Sequence, residues 1–136
     1  MNNAQDKTVI AVTPETEDIL KRVEESAFFG DRMDVAKLAM SVAIKKHLVP
    51  MKSSGRNTRW NIGGFDKDGA IGSTLRLLFP SEEQPYRLAE DLIEAGAKYL
   101  NDFIEINGEF HLLTFLKDIA PEEVDRIRFG AKNAGD

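Results

Sequence analysis

The sequence contains no cysteine, which excludes disulfide bonds, thiolate zinc sites and thiol nucleophiles. Long apolar runs are absent too, since none approaches the roughly 18 residues that a membrane-spanning helix needs. The N-terminus lacks the basic start and apolar stretch of a secretory signal. A chain without cysteine, span or signal fits a reducing compartment. We therefore expect a cytoplasmic protein.

Motifs for catalysis and metal binding are also missing. The two histidines, His47 and His111, belong to no recognisable motif and make a poor zinc site without carboxylates at fixed spacing. The run from Asp66 starts like a calcium loop, but Ala70 and Leu77 stand where oxygen ligands are required. We therefore predict a protein that is not an enzyme and that holds no metal or other cofactor.

The composition is that of one ordinary globular domain. The chain has 136 residues, 42% apolar and 30% charged, which suits a single core. We assign residues 1–136 to one domain and expect residues 1–6 and 131–136 to fray.

The N-terminal half predicts a strand followed by two helices. The β-branched run over 7–13 is typical of a strand, and Thr13 before Pro14 is a helix start. A central helix over 31–48 is apolar on nearly all sides. Such a helix is buried, either by its own domain or by a second subunit. We therefore expect a homodimer, formed through the 31–48 helix or the N-terminal strand.

The middle of the chain predicts a small β-hairpin. A tight turn over 66–69 would join short strands around 60–65 and 70–73. A helix with an inward apolar face follows over 86–96 and continues towards residue 103. The predicted fold class is α+β: a helix-rich single domain with a short N-terminal strand, a central buried helix and a small β-hairpin element.

Charge is divided unevenly along the chain. Residues 1–60 hold 10 Lys and Arg against 8 Asp and Glu, whereas residues 61–136 hold 8 against 15. This asymmetry indicates faces with different partners, self-association of opposite patches, or solvated charge. The acidic half includes a helix that we expect to present a solvated carboxylate face, with general acid–base chemistry as a distant alternative. Its carboxylates are Glu82, Glu83, Glu90, Asp91 and Glu94.

A basic loop over 49–64 is the most distinctive segment. No acidic residue occurs from Lys45 to Phe65. Cations beside an aromatic ring suit phosphate contact and base stacking, and they suit the acidic surface of a protein partner equally well. Solvation alone is a third interpretation. The candidate binding residues are Lys45, Lys46, Lys52, Arg56, Arg59 and Trp60.

The order of strand, proline-capped helix, glycine turn and apolar helix over 7–48 resembles a ribbon-helix-helix DNA-binding dimer. In that family the strand pairs across a two-fold axis and reads the major groove. The alternate residue sets of this strand lack the series of Arg, Asn, Gln or Lys that base reading requires. The resemblance implies a dimer and, as an alternative function, a DNA-binding transcription regulator.

A second resemblance rests on three segments, FFGDRMDVAKLAMSVAIKKHL, WNIGGFDKDG and PYRLAEDLIEAGAKYL. Together they are similar to small accessory proteins encoded beside bacterial DNA phosphorothioation (Dnd-type) defence genes. The resemblance implies a non-enzymatic accessory or adaptor of a DNA-associated defence or modification system. Its partner would be a protein of that system or, weakly and without sequence specificity, DNA phosphates.

Overall fold

A computed structural model describes residues 5–27 and 30–120, and within them the fold is helix-rich α+β, as the sequence predicts. Two strands and six helices occur in these ranges. In chain order they are β1 (Val9–Val12), α1 (Pro14–Ala27), α2 (Arg32–Lys45), β2 (Asn57–Asn61), α3 (Ile62–Phe65), α4 (Ala70–Leu78), α5 (Pro85–Asn107) and α6 (Leu112–Ile119).

The sheet is formed by strands that lie far apart in the sequence. Strands β1 and β2 pair antiparallel, with Val9 opposite Asn61 and Val12 opposite Asn57. A register irregularity lies between Ile10 and Ala11, where the β2 strand carries one extra residue. The N-terminal strand is therefore confirmed, but its partner is the basic loop.

The predicted hairpin over 60–73 is wrong, because α3 replaces most of its first strand and α4 replaces its second. The side chain of Asn61 accepts a hydrogen bond from Gly64 N and caps α3. The carboxylate of Asp66 then accepts hydrogen bonds from Ile71 N and Gly72 N at 2.9 Å, which satisfies the first turn of α4. The tight turn is real, but it starts a helix.

Helices α2 and α5 form the centre of the core. The buried face of α2 consists of alanine and valine side chains with one methionine, Met40, and α5 packs along it. A Cβ built on Gly96 would lie 1.8 Å from the carbonyl oxygen of Ala39. Glycine at this position therefore lets the two backbones touch.

Helix α2 ends in a Schellman motif at His47. Leu48 N donates to Ala43 O at 2.9 Å and His47 N donates to Ile44 O at 3.2 Å, the pattern of that cap. His47 takes the left-handed position, with φ 55°. Its place is thus fixed by backbone geometry at the helix end.

The surface of α2 on which we expected a dimer is covered within the chain. Residues such as Val35, Ala39 and Ala43 are at most 1% exposed. The apolar excess of this helix is used against α5, so it requires no second subunit.

The N-terminus is held at residue 6. Asp6 accepts hydrogen bonds from Tyr86 N and Arg87 N, at 2.9 and 3.2 Å, and so caps the start of α5. The remaining residues of the termini that we expected to fray, 1–4 and 131–136, lie outside the described ranges. Within those ranges no helix is long and apolar enough to cross a membrane.

Candidate functional site

Three carboxylates of α5 are buried. Glu90, Asp91 and Glu94 are 1%, 4% and 4% exposed. Residues 90 and 94 share one helix face and Asp91 stands beside it. The expectation of a solvated acidic face is therefore wrong for these residues, because the basic loop and β1 cover them.

The side chain of Arg56 occupies the centre of this acidic group. Its Nη1 lies 3.2 Å from Glu90 Oε1, its Nη2 lies 3.0 Å from Asp91 Oδ1, and its Nε lies 3.5 Å from Glu94 Oε2 without hydrogen-bond geometry. The side chain is 9% exposed. A buried guanidinium facing three carboxylates anchors the basic loop to the core.

The same carboxylates satisfy the outer edge of β1. Glu90 Oε2 accepts from Ala11 N at 2.7 Å, and Glu94 Oε2 accepts from Thr13 N at 2.9 Å. Glu94 Oε1 also accepts from the hydroxyls of Thr13 and Thr16, at 3.0 and 2.5 Å. Lys7 Nζ adds a second cation, 3.1 Å from Glu90 Oε2. Backbone amides, threonine hydroxyls and two cations thus surround the carboxylates of both glutamates.

This arrangement leaves β1 no edge for pairing across a two-fold axis. One edge carries β2 and the other carries the glutamates of α5. A ribbon-helix-helix dimer would require β1 to leave one of these partners. A dimer through the N-terminal strand, and the ribbon of the regulator alternative, therefore find no support in the fold.

The other candidate binding residues lie in different environments. Arg59 Nε lies 3.0 Å from Glu17 Oε1, and Glu17 also pairs with Arg32. Trp60 is half-buried, with its ring 5.9 Å from that of Phe65.

The lysines of this set are divided between helix and loop. Lys45 is exposed at the C-terminal end of α2. Lys46 Nζ donates to Asp118 O at 3.2 Å and lies over the ring of Tyr99. The side chain of Lys52 is 86% exposed, with its Nζ 3.6 Å from Asp91 Oδ2. The fold therefore leaves Lys52 as the cation of the loop that extends furthest into solvent.

The tip of the loop, residues 52–55, lies between two fixed points. Met51 N donates to Asp91 O at 3.0 Å, and Arg56 Nη2 donates to Met51 O at 2.8 Å. The tip borders a cleft of about 380 Å³ between β1–α1 and α5. Neutral polar, acidic and basic side chains line this cleft, among them Thr13, Glu15, Thr16, Ser53, Ser54, Glu94, Lys98 and Asn101.

Tyr86 and Asp66 form a second polar pair at the start of α4. Burial and the hydrogen bond that it donates to Asp66 Oδ2, at 2.6 Å, raise the pKa of Tyr86 to about 12. Burial opposes ionisation of Asp66, but hydrogen bonds from Tyr86, Gly72 N and Ile71 N outweigh it and lower its pKa. This pair fixes α4 against α5 and leaves the carboxylate fully bonded.

The Arg56 anchor was not predicted, although its signal is in the sequence. The basic loop, which has no acidic residue, and α5, which is rich in acidic residues, supply the two halves of one ion-pair network. Self-association of opposite patches was one interpretation of the charge asymmetry, and in the fold the two patches meet within one chain. Within the described residues, no group of three or more acidic or histidine side chains is placed to hold a metal ion.

Comparison with known proteins gave no match to any family model, curated protein or solved structure.

Proposed function

We propose that the chain is a non-enzymatic accessory or adaptor protein that binds a protein partner through the tip of the basic loop. The anchoring of this loop by Arg56 carries the proposal. A loop fixed at both ends pays little conformational entropy on binding, so its exposed side chains are ready for recognition. Loops held by a rigid scaffold are where binding residues concentrate.

The chemistry of the tip favours the acidic surface of a protein. Lys52 supplies exposed positive charge, and Ser53 and Ser54 supply hydroxyl groups beside it. Electrostatic complementarity with a partner's carboxylates would set the register of the complex.

DNA is the less favoured partner, because most arginine charge of the loop is used internally. Arg56 is buried against α5 and Arg59 pairs with Glu17. Phosphate binding draws on several unpaired cations at once. The proposed setting, a cytoplasmic DNA-associated defence or modification system of a bacterium, rests on the similarity to Dnd-type accessory proteins.

The proposal is tested by titrating the chain with the purified products of the genes beside its own. We expect one of them to bind in calorimetry, and Lys52→Glu to weaken that binding at least tenfold, about 1.4 kcal/mol. Lys67→Glu is the matched control, because Lys67 is an exposed lysine in another loop. Equal affinity of the native chain and the Lys52→Glu variant would refute the loop tip as the contact.

Fluorescence anisotropy with labelled duplex and single-stranded DNA separates the two partner classes. We expect no binding at ~50 mM salt and micromolar protein, conditions at which non-specific DNA binders are detected. Binding with a log–log salt slope of about −0.9 per phosphate contact, reduced by Lys52→Glu, would make DNA the partner instead.

A further inference from the structure

An exposed ridge runs along the C-terminal half of α5. Lys98, Asp102 and Ile106 follow one another at four-residue spacing, which places them in one row on the helix surface. All three are exposed, and Ile106 is 82% exposed. Within the described residues, neither Lys98 nor Asp102 has an ion-pair partner. The row therefore combines a bare aliphatic side chain with two unpaired charges of opposite sign.

A groove accompanies the N-terminal part of this ridge. It has a volume of about 330 Å³ and lies between α5 and the segment that follows α2. Ala95 lies in its wall, and Val49, 82% exposed, stands at its margin. Its lining is mostly apolar: Leu48, Val49, Met51, Ala95, Lys98, Tyr99 and Asp102.

The ridge and the groove are complementary under a two-fold rotation. If two copies of α5 lie antiparallel with the axis near residue 100, residue 106 of one copy lies level with residues 94 and 95 of the other. Ile106 then enters the groove beside Ala95, and the same contact repeats on the other side of the axis. The same rotation brings Lys98 of each copy opposite Asp102 of the other.

We propose that this face of α5 is a homodimer interface, with Ile106 of each copy seated in the groove beside Ala95 of the other and Lys98 paired with Asp102 across the axis. We choose a second copy of the chain as the partner because of the order of these charges. A positive and a negative side chain placed symmetrically about a two-fold axis each face the opposite charge of the other copy. The interface goes beyond the proposed function, and it differs from the two dimer surfaces that the sequence suggested.

Sedimentation equilibrium of the full chain, from micromolar to several hundred micromolar, tests the interface. We expect a reversible monomer–dimer equilibrium. Ile106→Asp should weaken association at least tenfold, because a carboxylate would enter the apolar groove. Leu77→Asp is the control, since Leu77 is 80% exposed on α4 and should leave the dimer unchanged.

Charge-reversal variants test the antiparallel pairing of Lys98 with Asp102. Lys98→Asp and Asp102→Lys should each weaken self-association at least tenfold, because each places like charges opposite one another at two contacts. An equimolar mixture of the two variants should form a heterodimer about as strong as the native dimer, since every contact is then again between opposite charges. A folding defect could not be repaired by such mixing, and circular dichroism of each variant alone gives an independent measure of folding.

A native chain that stays monomeric over the whole range overturns the proposal. A dimer that Ile106→Asp leaves intact overturns it as well, since the contact then lies elsewhere. A mixture of the two reversed variants that stays monomeric refutes the antiparallel pairing.

Discussion

At the scale of single residues, Arg56 joins the basic loop to α5. It bridges three carboxylates of α5 and also donates to the backbone of Met51. Removing one partner of a buried ion pair leaves the others uncompensated, which costs far more than the pair itself contributes. The anchor therefore supports both the loop and the sheet beside it.

Arg56→Ala should lower the free energy of unfolding by about 3–5 kcal/mol, the usual cost of breaking a buried ion pair. Arg59→Ala, at a side chain that is 41% exposed, should cost no more than about 1 kcal/mol. Urea denaturation followed by circular dichroism measures both variants. Equal effects of the two substitutions would show that Arg56 is not an anchor.

Gly96 tests the contact between the two central helices. Gly96→Ala should destabilise the fold by about 3 kcal/mol or more, at or beyond the upper range of overpacking, because its Cβ meets the backbone of Ala39. Gly63→Ala is the matched control in another helix, where the nearest atom is 3.6 Å away. Its effect should stay within about 0.5 kcal/mol. A shift in the thermal midpoint of Gly63→Ala as large as that of Gly96→Ala would contradict this account.

The two tyrosines give a pH readout of their local contacts. Burial and hydrogen bonds to Asp66 and Asp118 raise the pKa of Tyr86 and Tyr99 to about 12 from an ordinary 10.0. Both raised values favour the neutral phenol in the fold, so their stabilisation is complete below pH 10 and is lost as the pH rises towards 12. Ultraviolet titration should show no phenolate forming near pH 10 in the folded chain, and both residues ionising there in denaturant.

The variant Asp66→Asn distinguishes the titration of Tyr86 from that of Tyr99. It removes the charged acceptor of Tyr86 and should return the pKa of that residue towards 10, while Tyr99 keeps its raised value. A phenolate step near pH 10 in the native folded chain would show that one of these hydrogen bonds is absent.

At the scale of elements, the sequence predicted what local physics determines. The strand at the N-terminus, the proline start of α1 and the central apolar helix α2 are all present. Each depends on residues within a few positions of one another. The hairpin over 60–73 failed because the turn at Asp66–Gly69 can serve a hairpin or a helix start. The helix start is favoured here by the contact of Asp66 with Tyr86, which lies 20 residues further along the chain.

The candidate site also depends on contacts between residues that lie far apart in the sequence, which local patterns do not predict. The basic stretch was visible in the sequence, but the depth at which each cation lies was not. Arg56 and Lys52 are four residues apart and have side chains 9% and 86% exposed. The acids that decide the difference lie more than 30 residues away on α5. Sequence spacing alone cannot distinguish an anchor from a recognition residue in one loop.

At the scale of the whole molecule, charge asymmetry is resolved by internal pairing. The basic N-terminal half and the acidic C-terminal half meet where the loop and β1 lie on α5. Arg56 and Lys7 neutralise most of the negative charge that is buried there. The loop tip and the ridge of α5 are the two places on the surface where we propose partners.

The double coverage of β1 also constrains how the chain reaches its fold. One edge of the strand can pair only after β2 is made, and the amide of Ala11 gains its acceptor only with Glu90, 79 residues later. Contacts this distant are slow to form, because a long loop must close before any of them is made. During synthesis the ribosome therefore releases the strand, α1 and α2 well before α5 exists to cover them. The N-terminal half emerges as a segment with apolar surface and open strand edges, features that favour aggregation until α5 has left the exit tunnel.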